Sequence, residues 1–149
     1  MNKIALELTT PERIVSRIEA DEVTLPTQEG EITILPGHVP LVGVLVSGMM
    51  TIRAGGEESY VAVSGGFIEI QPGSKVIILA DTAERAEELD LKKVEEARER
   101  AQKMLREQRG ADDVSAAAMM AELNRELARL KVARRHGART APRNPPGSA

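Results

Sequence analysis

The hydrophobic period of this chain changes once, near Asp81, and that change limits the folds open to it more than any other feature. Before it, apolar and polar residues alternate. Ile4, Leu6 and Leu8 flank Ala5 and Glu7, Val23 and Leu25 flank Thr24, and Ile32 and Ile34 flank Thr33. Successive strand side chains point to opposite faces, so a period of two gives each segment one apolar row. Arg13 to Ile18, Leu41 to Val46, Met49 to Arg53, Ser59 to Val63, Phe67 to Ile70 and Val76 to Leu79 read as further strands. Thr10-Pro11, Pro36-Gly37, Ser47-Gly48, Gly65-Gly66 and Pro72-Gly73 separate them. Many short strands with turn chemistry between them predict a β-sandwich or barrel. The segments either side of Ala54-Gly55-Gly56-Glu57-Glu58 read as a hairpin. Gly65-Gly66 beside Phe67 marks a bulge or a close backbone crossing.

Beyond Asp81 the spacing becomes three and four. Asp90 is a good N-cap, followed by Val94, Ala97, Ala101, Met104 and Leu105 on one helical face. Gly110 is expected to end that helix and Asp112 or Asp113 to cap a second, with Ala116, Met120, Leu123, Leu127 and Leu130 as its buried stripe. The expected fold class is therefore α+β: an N-terminal β-sandwich of about ten short strands and a C-terminal antiparallel α-helical hairpin. The units are residues 1–85 (sandwich), 86–136 (hairpin) and 137–149, a tail too poor in apolar residues to fold. The helical stripes are narrow and rich in Ala, which suits a detachable hairpin held weakly to the sandwich and equally a permanently packed hairpin with small side chains; periodicity alone leaves both readings open.

Composition excludes several classes of chemistry. Cys is absent, so disulfides, thiolate metal sites and a Cys nucleophile are ruled out. The histidines are His38 and His136, too few in the sandwich for a metalloenzyme built on neighbouring strands. No GxxxxGKS/T phosphate loop occurs, and Gly65-Gly66 leads into a strand where a phosphate loop would lead into a helix. A non-catalytic chain is expected. Met1-Asn2-Lys3 opens no signal-peptide pattern. The longest apolar run, Leu41 to Val46, is far short of the roughly 18 residues of a spanning helix. Membrane association is then expected only through a partner. Charge is graded: residues 1–90 hold 6 basic and 15 acidic side chains, whereas residues 125–149 hold 7 basic ones and Glu126. A basic end behind an acidic body points to an acidic protein surface or a nucleic acid. With only Tyr60 and Phe67 as aromatics, a base-stacking platform is missing.

The strings ILPGHVPLVGVL (Ile34 to Leu45), VSGGFIEI (Val63 to Ile70) and LADTAERAEELD (Leu79 to Asp90), in this order and spacing, resemble the epsilon subunit of the rotary F-type ATP synthase. The likeness extends upstream through Leu8 to Val15 and downstream through the two helices to about Arg135. It implies a central-stalk subunit that couples gamma to the c-ring during proton-driven ATP synthesis and inhibits ATP hydrolysis through its C-terminal helices. The implied partners are gamma, the c-ring and, for the extended arm, the catalytic alpha and beta subunits. The implied location is peripheral, on the cytoplasmic face of a bacterial plasma membrane.

The resemblance also assigns residues. Glu31 and His38 lie on the edge that would face the c-ring, although Ile32 and Thr33 depart from the family's usual Phe or Leu and Gly. Lys131, Arg134 and Arg135 form the basic helix that would meet an acidic loop of the beta subunits. No cofactor is required. Some relatives bind ATP as a regulatory ligand, and Asp90, Arg125 and Arg129 match three of those positions. Lys93 and Val94 replace the expected Arg and Ala, and a lysine is a point charge in place of a planar fork. Asp90 also reads as a plain N-cap, and that is the reading preferred. Two rivals remain at this stage, a basic-tailed nucleic-acid adaptor and a free ATP sensor.

Overall fold

A computed structural model describes residues 2–108 and 112–140. Its strands are β1 (Ile4–Thr9), β2 (Ile14–Ala20), β3 (Glu22–Thr27), β4 (Gly30–Ile34), β5 (Leu41–Val44), β6 (Gly48–Ala54), β7 (Glu57–Gln71) and β8 (Lys75–Arg85). A single 3-10 turn, Ala86–Glu88, leads to helices α1 (Leu91–Glu107) and α2 (Asp113–Thr140). Hydrogen-bonded order runs β2-β1-β8-β7-β6-β3-β4, and β5 pairs with β7 off this path. The described strands number eight because two expected strands, Ser59 to Val63 and Phe67 to Ile70, are one continuous β7.

That fusion makes the sandwich. The first half of β7 pairs with β6 (Gly48↔Val63 to Ala54↔Glu57) and the second half with β5 (Val44↔Phe67 to Leu41↔Ile70). β8 behaves alike: Lys75 to Leu79 pair in parallel with β1, while β7 and β8 keep one register along both halves. Each layer thus contains part of β7 and part of β8. The corner between them falls at Gly65 and Gly66, with φ of +58° and +121°. A Cβ on Gly66 would run into the Leu79 carbonyl, and one on Gly65 into the Asp81 carboxylate, so only glycine permits this crossing.

Alternation fills the space between the layers. Ile4, Leu6 and Leu8 of β1, Val23 and Leu25 of β3, Val61 and Val63 of β7 and Ile78 of β8 share one buried aliphatic core. The hairpin between β6 and β7 turns at Gly55 and Gly56, both at positive φ as a two-residue turn of the primed type demands.

The run Tyr60 to Val63 is buried on both faces. Val61 and Val63 point inward, while Tyr60 and Ala62 join Met49, Ala86, Leu89 and Val132 in a second cluster beneath α2. The hairpin therefore docks through α2 on the outer face of β6 and β7, and α1 packs on α2. This double duty corrects the expected stripe. Met120 and Leu127 are 46 % and 44 % exposed, whereas Leu123, Glu126, Ala128, Leu130, Val132 and Ala133 are buried. A helix wedged between a partner helix and a sheet buries two adjoining faces, so no single row of spacing three and four describes it. Met104 of α1 is likewise 56 % exposed, near the end of the hairpin where only two helices meet. α2 passes through Gly137 to Thr140, four residues beyond the expected end of the arm at 136. Gly110 and residues 141–149 lie outside the described residues.

Candidate functional site

β8 delivers Glu84 to the outer face of the sandwich, where α2 lays Arg129 against it. Arg129 Nη2 donates to Glu84 Oε2 at 3.2 Å, and its Nε lies 2.9 Å from Glu84 Oε1, off the direction of the N–H. One helical turn earlier on α2, Glu126 accepts from Arg129 Nη1 at 2.8 and 3.1 Å. Arg125 stands 3.7 Å from Glu126 and donates to Glu122 at 2.9 Å. Glu126 is 2 % exposed, a buried carboxylate held by arginines of its own helix. Burial works against the charge on Arg129, yet Glu84 and Glu126 outweigh it and raise its pKa above the ordinary guanidinium value. The group clasps arm to body.

A second clasp closes where the sandwich leads into the helices. Arg13, on the connection between β1 and β2, donates Nη1 and Nη2 to the two carboxylate oxygens of Glu88 at 2.7 Å each. Its Nη2 also reaches the Ala83 carbonyl at 3.4 Å, and Glu88 accepts from the Arg85 backbone N–H at 3.0 Å. The fork geometry lowers the Glu88 pKa, chiefly through the Arg13 hydrogen bond. Nothing local in LADTAERAEELD announces either clasp, because the partners of Glu84 and Glu88 lie 45 and 75 residues away in sequence.

Asp90 caps α1 by accepting the Lys93 N–H at 3.1 Å. Asp112 caps α2 by accepting from Ser115 N at 2.7 Å, which lowers its pKa. Arg125 and Arg129 are brought together, but no ion pair joins Asp90 to either among the described residues. Lys131, Arg134 and Arg135 are exposed along α2. Arg135 lies over the Tyr60 ring, 5.9 Å from its centroid. Tyr60 in turn donates its hydroxyl to Glu58 at 2.8 Å.

At the far edge, Glu31 is exposed on β4 and His38 sits in the turn that follows. Gly37 takes φ of +83° and donates its N–H to Ser74 Oγ at 2.7 Å, fixing the loop. His38 is turned onto its own backbone, with Nδ1 2.8 Å from the Val39 carbonyl and its N–H on Leu35 O. Leu35 and Val39 beside it are 53 % and 70 % exposed. One apolar surface was not singled out from sequence. Val44, Phe67 and Leu79 are register neighbours on β5, β7 and β8, with Val42 two residues along, and all four are exposed. Phe67 at 61 % exposure is the clearest signal, because it is the only Phe and no core claims it.

The geometry defines a class of protein in which a two-layer β body carries a helical hairpin clasped to its outer face. Residues 3–86 match the beta-sandwich domain of the ATP synthase delta/epsilon chain, and residues 87–134 match its long alpha-helix domain. The chain is 48 % identical over 134 residues to the ATP synthase epsilon chain of Moorella thermoacetica, covering 89 % of this chain and 98 % of that one. It is 43 % identical over 133 residues to that of Dehalococcoides mccartyi (strain BAV1), covering 89 % and 94 %. Among solved structures, a chain of the Euglena gracilis mitochondrial ATP synthase OSCP/F1/c-ring assembly aligns with a TM-score of 0.75 and 26 % identity, over 89 % of this chain and 82 % of that one. The chain belongs to the ATP synthase delta/epsilon chain family.

Proposed function

We propose that the chain is the epsilon subunit of a bacterial F-type ATP synthase, a non-catalytic part of the central stalk that joins gamma to the c-ring. The family match across both sandwich and helices supports this reading most strongly. Two surfaces suit two rotor contacts. The apolar row Val42, Val44, Phe67 and Leu79 suits gamma, since an exposed aliphatic and aromatic patch is the usual core of a stable interface. The edge of Glu31 and His38, with Leu35 and Val39, suits the polar loops of the c-ring. No described helix is long and apolar enough to cross a membrane. A peripheral position on the cytoplasmic face of the plasma membrane, reached through the complex, goes with this role.

The arm gives the subunit its regulation. In the compact state, Lys131, Arg134 and Arg135 lie along α2 beside the sandwich. Released, the same cations are free to meet an acidic surface of the catalytic subunits and suppress ATP hydrolysis. Hydrolysis by the cognate alpha-beta-gamma subcomplex, with the full chain or the chain cut after Leu89, tests this. Binding by both with inhibition by the full chain alone supports it. Inhibition by both chains removes the arm from the account, and binding by neither removes the stalk role.

ATP as a regulatory ligand is a separate proposal, and the compact arm does not fit it. Glu84, Glu122 and Glu126 outnumber Arg125 and Arg129, so the cluster is net negative toward a triphosphate. Calorimetric titration of the full chain with ATP decides the matter. Heat abolished by Arg129→Gln would establish a nucleotide site in a rearranged arm, and no heat would dismiss it. No observation favours the nucleic-acid adaptor.

A further inference from the structure

On the flank of α2 opposite the clasp, the seam between α2 and the sandwich opens into a trough that none of the contacts above fills. One part, of 450 Å³, lies between Met49 of β6 and the α2 residues Leu127, Leu130, Lys131 and Arg134. The next, of 490 Å³, lies between the connection of β5 to β6 and α2, against Ser47, Gly48 and Asn124. Leu127 and Lys131 line both parts, so the two adjoin. From Asn124 to Ala138 the trough follows about 20 Å of helix axis, roughly four turns.

Its chemistry is two-sided. Leu130 and half-buried Met49 floor it, and Leu127, 44 % exposed, leaves apolar surface in water. Lys131, Arg134 and Arg135 edge it with positive charge. Lys131 forms no ion pair among the described residues, and the Arg134 approach to Glu95 is a loose 3.9 Å. The surrounding body is acidic, with 15 acidic and 6 basic side chains in residues 1–90. A negatively charged partner is therefore repelled by most of the sandwich and attracted along this seam. Phosphate backbones would use the cations but not the apolar floor. A helix with an apolar face between acidic edges uses both.

We infer that this trough docks an amphipathic, acid-edged helical segment of a partner protein. The segment touches Met49 on the sandwich and Leu127 and Lys131 on the arm together, so it recognises only the docked arm. By mass action it then holds the arm down, and it occupies the cations that a released arm would use. That consequence rests on the reading of the arm as releasable, whereas the docking itself does not.

The test uses the full chain and a labelled synthetic peptide of about four helical turns, with Leu on one face and Glu on its edges. A scrambled peptide of equal composition is the control. Fluorescence anisotropy should show salt-sensitive binding of the patterned peptide, weakened about tenfold or more by Leu127→Glu and by Lys131→Glu. Both positions are exposed, so both variants keep the fold, which circular dichroism checks. Amide exchange in α2 should slow when the peptide saturates the chain. Equal binding of the scrambled peptide, or undiminished binding by Leu127→Glu, overturns the proposal. So does binding to vesicles of anionic phospholipid with none to the peptide. Any of these failures leaves the hydrolysis assay untouched, so the two readings fail separately.

Discussion

Replacing Arg129 by alanine should free the arm without unfolding the body. Arg129 gives Glu126 its two close hydrogen bonds and ties Glu84 of the sandwich to α2. Without it, the Glu126 carboxylate, its side chain 3 % exposed, keeps only Arg125 at 3.7 Å. Breaking a buried pair costs about 3–5 kcal/mol. Because the Arg129 side chain is itself 23 % exposed, the lower end, about 3 kcal/mol, is expected here. That corresponds to roughly a hundredfold in the equilibrium between docked and released arm. Native-state amide exchange reads it residue by residue: protection in α2 around Leu123 to Ala133 should fall by that factor, while β1 and β7 stay protected. Removing both charges in Glu126→Leu with Arg129→Met should restore most of the protection, because the one fully buried carboxylate is gone and Glu84, which also loses Arg129, has a side chain a third exposed to water. Unchanged α2 protection in Arg129→Ala, or a double variant no better than the single, would refute the reasoning.

Four further outcomes follow from the geometry. Gly66→Ala should lower the urea midpoint severely, by more than about 3 kcal/mol of stability, since it combines left-handed strain with a clash against backbone; Gly137→Ala, in open helix, should instead gain about 0.5–1 kcal/mol. Asp90→Ala should cost α1 about 1 kcal/mol of helix stability, measured by circular dichroism and exchange at Val94, with β-strand signals unaltered. The Glu88 pKa is depressed by Arg13, so the stability it contributes is complete above the ordinary glutamate range and is lost as the pH falls through its lowered folded value. Glu88→Gln should therefore flatten the acid limb of the unfolding profile; an identical acid limb in the variant would show that the pair contributes nothing.

How much of this was legible in sequence depends on the range of the forces involved. Ile4, Leu6 and Leu8, the Gly55-Gly56 turn and the Asp90 cap express preferences within a few residues, and the structure realises each of them. Gly65-Gly66 was legible as a close crossing but not as the middle of a single strand, because the continuity of β7 is set by its neighbours. Arg13 with Glu88 and Glu84 with Arg129 were invisible, since no local pattern distinguishes a paired surface glutamate from a solvated one. The error over Met120 and Leu127 has the same origin: α2 answers to a sheet as well as to α1. Glu31 and His38 stand where the strand and turn were expected, and their role rests on resemblance.

The corner at Gly65 and Gly66 has a mechanical meaning as well as a steric one. Two sheets joined only by apolar packing can slip over each other under shear, as greased plates do. Here β7 and β8 run from one sheet into the other, so the faces are joined by covalent chain. A twist applied at Phe67 and Leu79 reaches Tyr60 and Glu84, beneath the arm, through main chain as well as through side-chain contact. The body behaves as a folded beam, and its stiffness is set by the bend.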